Sequence, residues 1–283
     1  MKKIYFVDGV PGVGKTSLAQ AVERLLLQEN IKVKRFEEHN FENPIDVTRK
    51  AFLSQTEYNQ FLEKCISISE GSKYSPEDII TEIESKTLFF GEYAIVSYLQ
   101  PYFANELINE ELCGLYYKEI CNGLVTEEKY MDIIYTLFLG FANDAQDDYT
   151  YIFDGALLQN ILLDVIGFYD TNIEVLKELY FKLLTALSEF NITVLFLNNK
   201  NIETVLKETD FARSEMNWLA NFEDWIKETN WFKDKKKKSN ELNAVEFSSQ
   251  LQDIMIKLIA SFSGLNIHYI NARYKDLNLK GII

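Results

Sequence analysis

Cysteine is scarce in this 283-residue chain. Cys65, Cys113 and Cys121 are odd in number and none forms a C-x-x-C pair, which argues against a disulfide framework or a cysteine zinc site and for a reducing compartment. Basic residues fall short of acidic ones: Lys+Arg 29 against Asp+Glu 43, or 29 − 43 = −14. A field of that sign repels polyanions, which argues against non-specific binding to nucleic acid or anionic lipid, and any anionic ligand must be held by local donors. No stretch approaches the roughly 18 apolar residues of a membrane span. Lys2 and Lys3 precede an apolar run, but that run stops at Asp8, too short for a secretory signal. Internal repeats are absent, and the lysine-rich 233–238 is the one biased tract. A soluble, cytoplasmic protein with neither membrane nor nucleic-acid partner is expected.

What remains is ordinary globular composition, 47% hydrophobic and 25% charged, enough for one large domain spanning 1–283 with an insertion. Lys2 to Val7 is short, β-branched and aromatic and ends at a glycine-rich turn, the pattern of a buried strand. Ser17 to Glu29 has helical spacing and Ile31 to Phe36 is a second strand, together a βαβ unit with parallel strands. From 44 to 143 the pattern predicts a helical insertion without strands, with helices over Glu57–Ile68, Pro76–Lys86, Gly91–Leu107 and Glu127–Ala142. Strands are expected again at Tyr149–Phe153, Ile192–Leu197 and Ile267–Ile270, with helices at Glu174–Phe190, from Ile202 and at Glu241–Phe262. The fold class is α/β: a three-layer α/β/α arrangement around a five-stranded parallel sheet.

One motif narrows the chemistry. Gly9-Val10-Pro11-Gly12-Val13-Gly14-Lys15-Thr16 is a complete G-x-x-x-x-G-K-[ST], with a strand directly before it and an amphipathic helix directly after. Glycines let successive N–H groups curl toward phosphate oxygens, and the following helix adds its positive N-terminal end. Residues Gly9 to Thr16, with Ser17, are therefore the nucleotide-binding candidates. Lys15 would bridge the β- and γ-phosphates and Thr16 would hold Mg²⁺.

With this loop, Asp8-Gly9 before it, acids at the ends of strands two (Glu37, Glu38) and three (Asp154), and a strand-four helix leading to Arg213, the chain resembles the P-loop kinases of the nucleoside and nucleotide kinase group, thymidylate-kinase-like proteins among them. The resemblance covers about two-thirds of the chain and omits the insertion. It implies strand order 2-3-1-4-5, ATP and Mg²⁺ as cofactors, a lid over 211–240, and transfer of the γ-phosphoryl to a small-molecule hydroxyl; the sequence leaves the oligomeric state open, a homodimer being one alternative. Where thymidylate-type kinases carry Asp-Arg after strand three, Gly155 follows Asp154 here, and Pro11 replaces an acidic loop residue. Both departures favour a neutral acceptor, such as a nucleoside, another metabolite or an antibiotic, over a nucleoside monophosphate.

The remaining candidates each carry a plainer alternative. Asp154 suits a Mg²⁺ ligand, direct or through water, or a turn and helix cap. Glu37 or Glu38 suits a general base or acceptor anchor, one of the two turned away by strand alternation, or both are solvated acids. Arg213 suits charge neutralisation on the moving phosphoryl, or an ordinary salt bridge. His39 suits substrate contact or polar surface; Lys233 and Lys235–Lys238 suit a lid or a solvated loop. Gln159 and Asn160 are placed to hydrogen-bond an acceptor. Tyr93, Tyr98, Tyr102, Phe103, Tyr116 and Tyr117 would stack on a planar group or pack the insertion. Asn199-Lys200-Asn201-Ile202 lacks the Asp of the guanine-reading N-K-x-D, which argues against GTP. The competing function is a P-loop ATPase or NTP-binding regulator acting through a protein partner.

Overall fold

The computed structural model describes residues 2–38, 40, 42–98, 105–234, 243–270 and 279–281. They form two compact units, Met1–Asp46 with Leu137–Ile283, and Val47–Thr136. The first unit opens with β1 (Lys2–Gly9), α1 (Lys15–Gln28) and β2 (Val33–Phe36). The second holds β3 (Lys50–Ser54), α2 (Gln55–Ser69), α3 (Pro76–Ser85), β4 (Thr87–Phe90), β5 (Tyr93–Ser97) and α4 (Asn105–Gly114). α5 (Glu127–Asp144) belongs to it as far as Thr136. Next come β6 (Thr150–Asp154), α6 (Gln159–Asp164), α7 (Ile173–Ala186) and β7 (Phe190–Leu197). α8 (Ile202–Ala212), α9 (Trp218–Glu228), α10 (Asn230–Asp234), α11 (Asn243–Ile259) and β8 (Asn266–Ile270) complete the first unit.

The first unit is built on one parallel sheet in the order β2-β6-β1-β7-β8. The expected numbering 2-3-1-4-5 does not carry over, because three strands of the second unit precede Thr150–Asp154 in the chain. β1 is central and covered on both faces, which is why it reads as a continuous apolar run. Tyr5 and Val7 pack toward Leu18, Val22 and Leu26 of α1. Phe6 stacks on Phe138 and Phe153 on the other face. Parallel strands held between such layers bring their carboxyl ends to one edge: Val7 pairs with Asp154 and Gly9 with Leu197.

The second unit corrects the expectation of a wholly helical insertion. It carries an antiparallel sheet, β3-β5-β4, on whose inner face Ala51, Leu53, Ala94 and Val96 meet Tyr58, Phe61 and Cys65 of α2 and Ile79 and Ile83 of α3. Within the expected helix Gly91–Leu107, Tyr93–Ser97 is a strand paired on both sides. Its Tyr-Ala-Ile-Val-Ser sequence is β-branched and aromatic, which suits a pleated surface. α2 and α3 begin at capping boxes, Ser54 with Glu57 and Ser75 with Asp78. No described helix is long and apolar enough to cross a membrane.

Candidate functional site

β1 hands the chain to the glycine-rich loop, and the loop hands it to α1. α1 starts at Gly14 in the left-handed region, with no side-chain cap and no acid in its first turn. Its N-terminal N–H groups and positive dipole end are thus left for an anion. Gly12 has φ +82°, and a Cβ there would stand 2.6 Å from Thr209 Oγ1. That hydroxyl lies 2.9 Å from the Gly12 carbonyl, so α8 presses on the loop where only glycine fits.

A cleft of about 610 Å³ opens over residues 11–17, a volume typical of small-molecule sites. Glu38, Gln159, Leu197, Ile270, Arg213 and Trp218 also line it. Gly9 and Val10 do not line it; Val10 is fully buried.

Lys15 is 5% exposed. Its Nζ donates to Gln159 Oε1 at 2.5 Å, lies 3.5 Å from Val10 O, and stands 3.8 Å from Glu38 Oε2. Its stem passes Gly155, which has φ +69° and whose added Cβ would meet Lys15 Cε at 3.1 Å. Thr16 Oγ1 donates to Asp154 Oδ2 at 2.5 Å. Asp154 is fully buried behind Thr16, and its Oδ1 has no hydrogen-bond partner among the described residues. Burial pushes its carboxyl above the ordinary carboxylate range, against the pull of Lys15 and the Thr16 bond.

The structure separates the two adjacent glutamates. Glu37 bonds Arg35, which also holds Glu23 at 2.6 Å, and it does not line the cleft. Glu38 turns inward, accepting from Gln159 Nε2 at 2.7 Å. Arg213 is exposed, with its guanidinium 5.6 Å from the Trp218 ring centroid, and no carboxylate among the described residues pairs with it. Lys15, Thr16, Glu38 and Arg213 therefore share one cleft, Asp154 is reached through Thr16, and Glu37 stands apart.

Other candidates fall elsewhere. Tyr93 stacks on Phe52, Tyr98 is buried, and Tyr116 and Tyr117 meet edge to face, all within the second unit. His39, Tyr102, Phe103 and Lys235–Lys238 lie outside the described residues. Asn201 caps α8 through Thr204 N, while Gln252 brackets the backbone N–H and carbonyl of Asn199.

Three contributors were not assigned these roles from sequence. Asp8, fully buried, accepts N–H groups of Leu157, Leu158 and Gln159 at 3.2, 3.0 and 2.9 Å. Burial raises its pKa to about 6, against lowering by the Gln159 and Leu158 amides and Lys15. Thr209 and Trp218 shape the cleft from α8 and α9; no local pattern marks them, because their contacts are made only in the fold.

Thr16 and Asp154 supply hard oxygen donors, and the unpartnered buried Asp154 Oδ1 is a group that a nearby cation would satisfy, so they fit Mg²⁺. Among the described residues no cluster of three or more His, Cys, Asp or Glu could hold a metal alone. That fits an ion bound jointly by protein and phosphate oxygens. No family model matches the chain, and no curated protein matches it at a significant level.

Proposed function

We propose that the chain is an ATP-dependent small-molecule kinase that moves the γ-phosphoryl to an acceptor hydroxyl. The observation that carries the proposal is the meeting, in one cleft, of an uncapped helix start with Lys15 and Thr16, a buried carboxylate behind Thr16, and the inward carboxylate of Glu38. Residues 11–17 hold the phosphates through backbone N–H groups, and Lys15 adds a cation held in place by Gln159. Thr16, with Asp154 behind it, would hold Mg²⁺, which neutralises phosphate charge.

Glu38 serves as acceptor base, taking the hydroxyl proton on a carboxylate oxygen. Arg213, without a carboxylate partner among the described residues, offers permanent positive charge at the same cleft. Trp218 is the one of the chain's three tryptophans that lines the cleft, so its fluorescence reports occupancy.

The test is Mg·ATP turnover by the purified protein against nucleosides, nucleotides and hydroxylated antibiotics. ADP release stimulated by one compound class, with that compound phosphorylated, is expected. Slow turnover indifferent to every small molecule moves the assignment to a regulatory NTPase with a protein partner.

A further inference from the structure

We infer that Gln159 is a positioning residue, its side-chain amide bridging Lys15 to Glu38 and setting the separation of donor-side cation and acceptor-side carboxylate. The kinetic part of this inference rests on the kinase proposal above; the bridge itself does not.

Gln159 is 1% exposed and occupies the first position of α6. Its carbonyl end accepts from Lys15 Nζ at 2.5 Å, and its amino end donates to Glu38 Oε1 at 2.7 Å and to Asn160 Oδ1 at 3.3 Å. The direct Lys15–Glu38 approach is 3.8 Å, beyond hydrogen-bond range. A primary amide is the neutral group that offers an acceptor to a cation at one end and donors to an anion at the other. Both ends are engaged inside the protein, so Gln159 orders the site instead of binding the acceptor itself.

The bridge has a rigid base. Asp8 Oδ1 accepts the Gln159 backbone N–H at 2.9 Å, and Asp8 Oδ2 holds the two preceding amides. Asp8 closes β1 and Gln159 follows β6, neighbouring central strands, so the amide is referenced to the sheet and not to a loose loop. Lys15 has three donors, of which Gln159 Oε1 and Val10 O take two, leaving one for a phosphate while Gln159 stays bound. The amide thus holds the Lys15–Glu38 ion pair at 3.8 Å, without the direct hydrogen bond that would occupy both groups.

Two double-mutant cycles on urea midpoints test the bridge without any acceptor: Gln159→Leu with Lys15→Met, and Gln159→Leu with Glu38→Gln. Each cycle is expected to show coupling of about threefold or more in the unfolding equilibrium constant. Additivity in either cycle overturns the bridge. If Gln159→Leu does not fold, Gln159→Glu replaces it: like charge then faces Glu38, and adding Glu38→Gln is expected to restore the urea midpoint. No restoration is contrary to the inference.

Kinetically, Gln159→Leu and the shorter Gln159→Asn are expected to lower kcat for acceptor phosphorylation about 10- to 100-fold, with KM for ATP changed less than about threefold. Equal losses in kcat and ATP affinity indicate a merely structural residue and overturn the positioning role. If the wild-type chain phosphorylates no acceptor, the kinase proposal fails while the urea cycles still decide the bridge.

Discussion

Replacing Asp8 with asparagine removes a titrating charge from beneath the glycine-rich loop. The Asp8 carboxyl is fully buried, and its pKa is raised from 3.8 to about 6 by burial. A folded-state pKa above the unfolded one means that its contribution to stability is fully present below about pH 3.8 and lost as pH rises through about 6. At 1.36 kcal/mol per pKa unit, the shift corresponds to about 3 kcal/mol in total, of which roughly 1 kcal/mol falls between pH 5 and pH 7. Asparagine has no such titration.

Asparagine also turns an amino group toward one of the three backbone donors, a pH-independent loss of about 1–3 kcal/mol. Urea unfolding of wild type and Asp8→Asn across pH 5–7 separates the two effects, and the raised Asp154 carboxyl is common to both chains. The stability advantage of wild type is expected to shrink by roughly 1 kcal/mol as pH rises from 5 to 7. An advantage that stays constant or grows over that window refutes the reasoning. It would mean that the three amide hydrogen bonds outweigh burial and keep Asp8 ionised throughout.

Two further outcomes follow from the same geometry. Gly155→Ala places a Cβ 3.1 Å from Lys15 Cε at φ +69°; about 1–2 kcal/mol of stability is expected to be lost in thermal or urea unfolding. Lys15 must also give by a few tenths of an ångström, so ATP turnover is expected to fall on the order of 10-fold, and unchanged turnover is contrary to Lys15 acting from its observed position. Glu38→Gln is expected to reduce acceptor phosphorylation by about 100-fold or more while Trp218 fluorescence still reports ATP binding, whereas Glu37→Gln, on the Arg35 side, is expected to cost less than about threefold; the opposite ranking in steady-state assays moves the base to Glu37.

Legibility followed the range of the interactions. The loop from Gly9 to Thr16 was readable because backbone curl, lysine and hydroxyl are all encoded within eight residues. The parallel sheet was readable because β1, β6 and β7 are buried on both faces and carry unbroken apolar runs. The second unit's sheet was not, because strands of four or five residues such as Thr87–Phe90 and Tyr93–Ser97 carry too little periodicity to be told from helix.

Strand alternation predicted that Glu37 and Glu38 diverge; they do so just past β2, which ends at Phe36, and which one enters the cleft depends on Arg35 holding Glu37 on the side of α1, a tertiary fact. Asp154 was legible as a strand-end acid, and its closure behind Thr16 was not. Gln159 stood in view just past β6, yet its contacts to Lys15 and Glu38 span 144 and 121 residues of sequence.

The most direct measurement follows the label from ATP marked in its γ-phosphoryl, with Mg²⁺ and the acceptor panel, in wild type and Lys15→Ala at matched folding by circular dichroism. Label on the hydroxyl of an organic acceptor in wild type, and none above background in Lys15→Ala, is the expected result. Label released only as inorganic phosphate, or transfer undiminished in Lys15→Ala, contradicts phosphoryl transfer at this cleft.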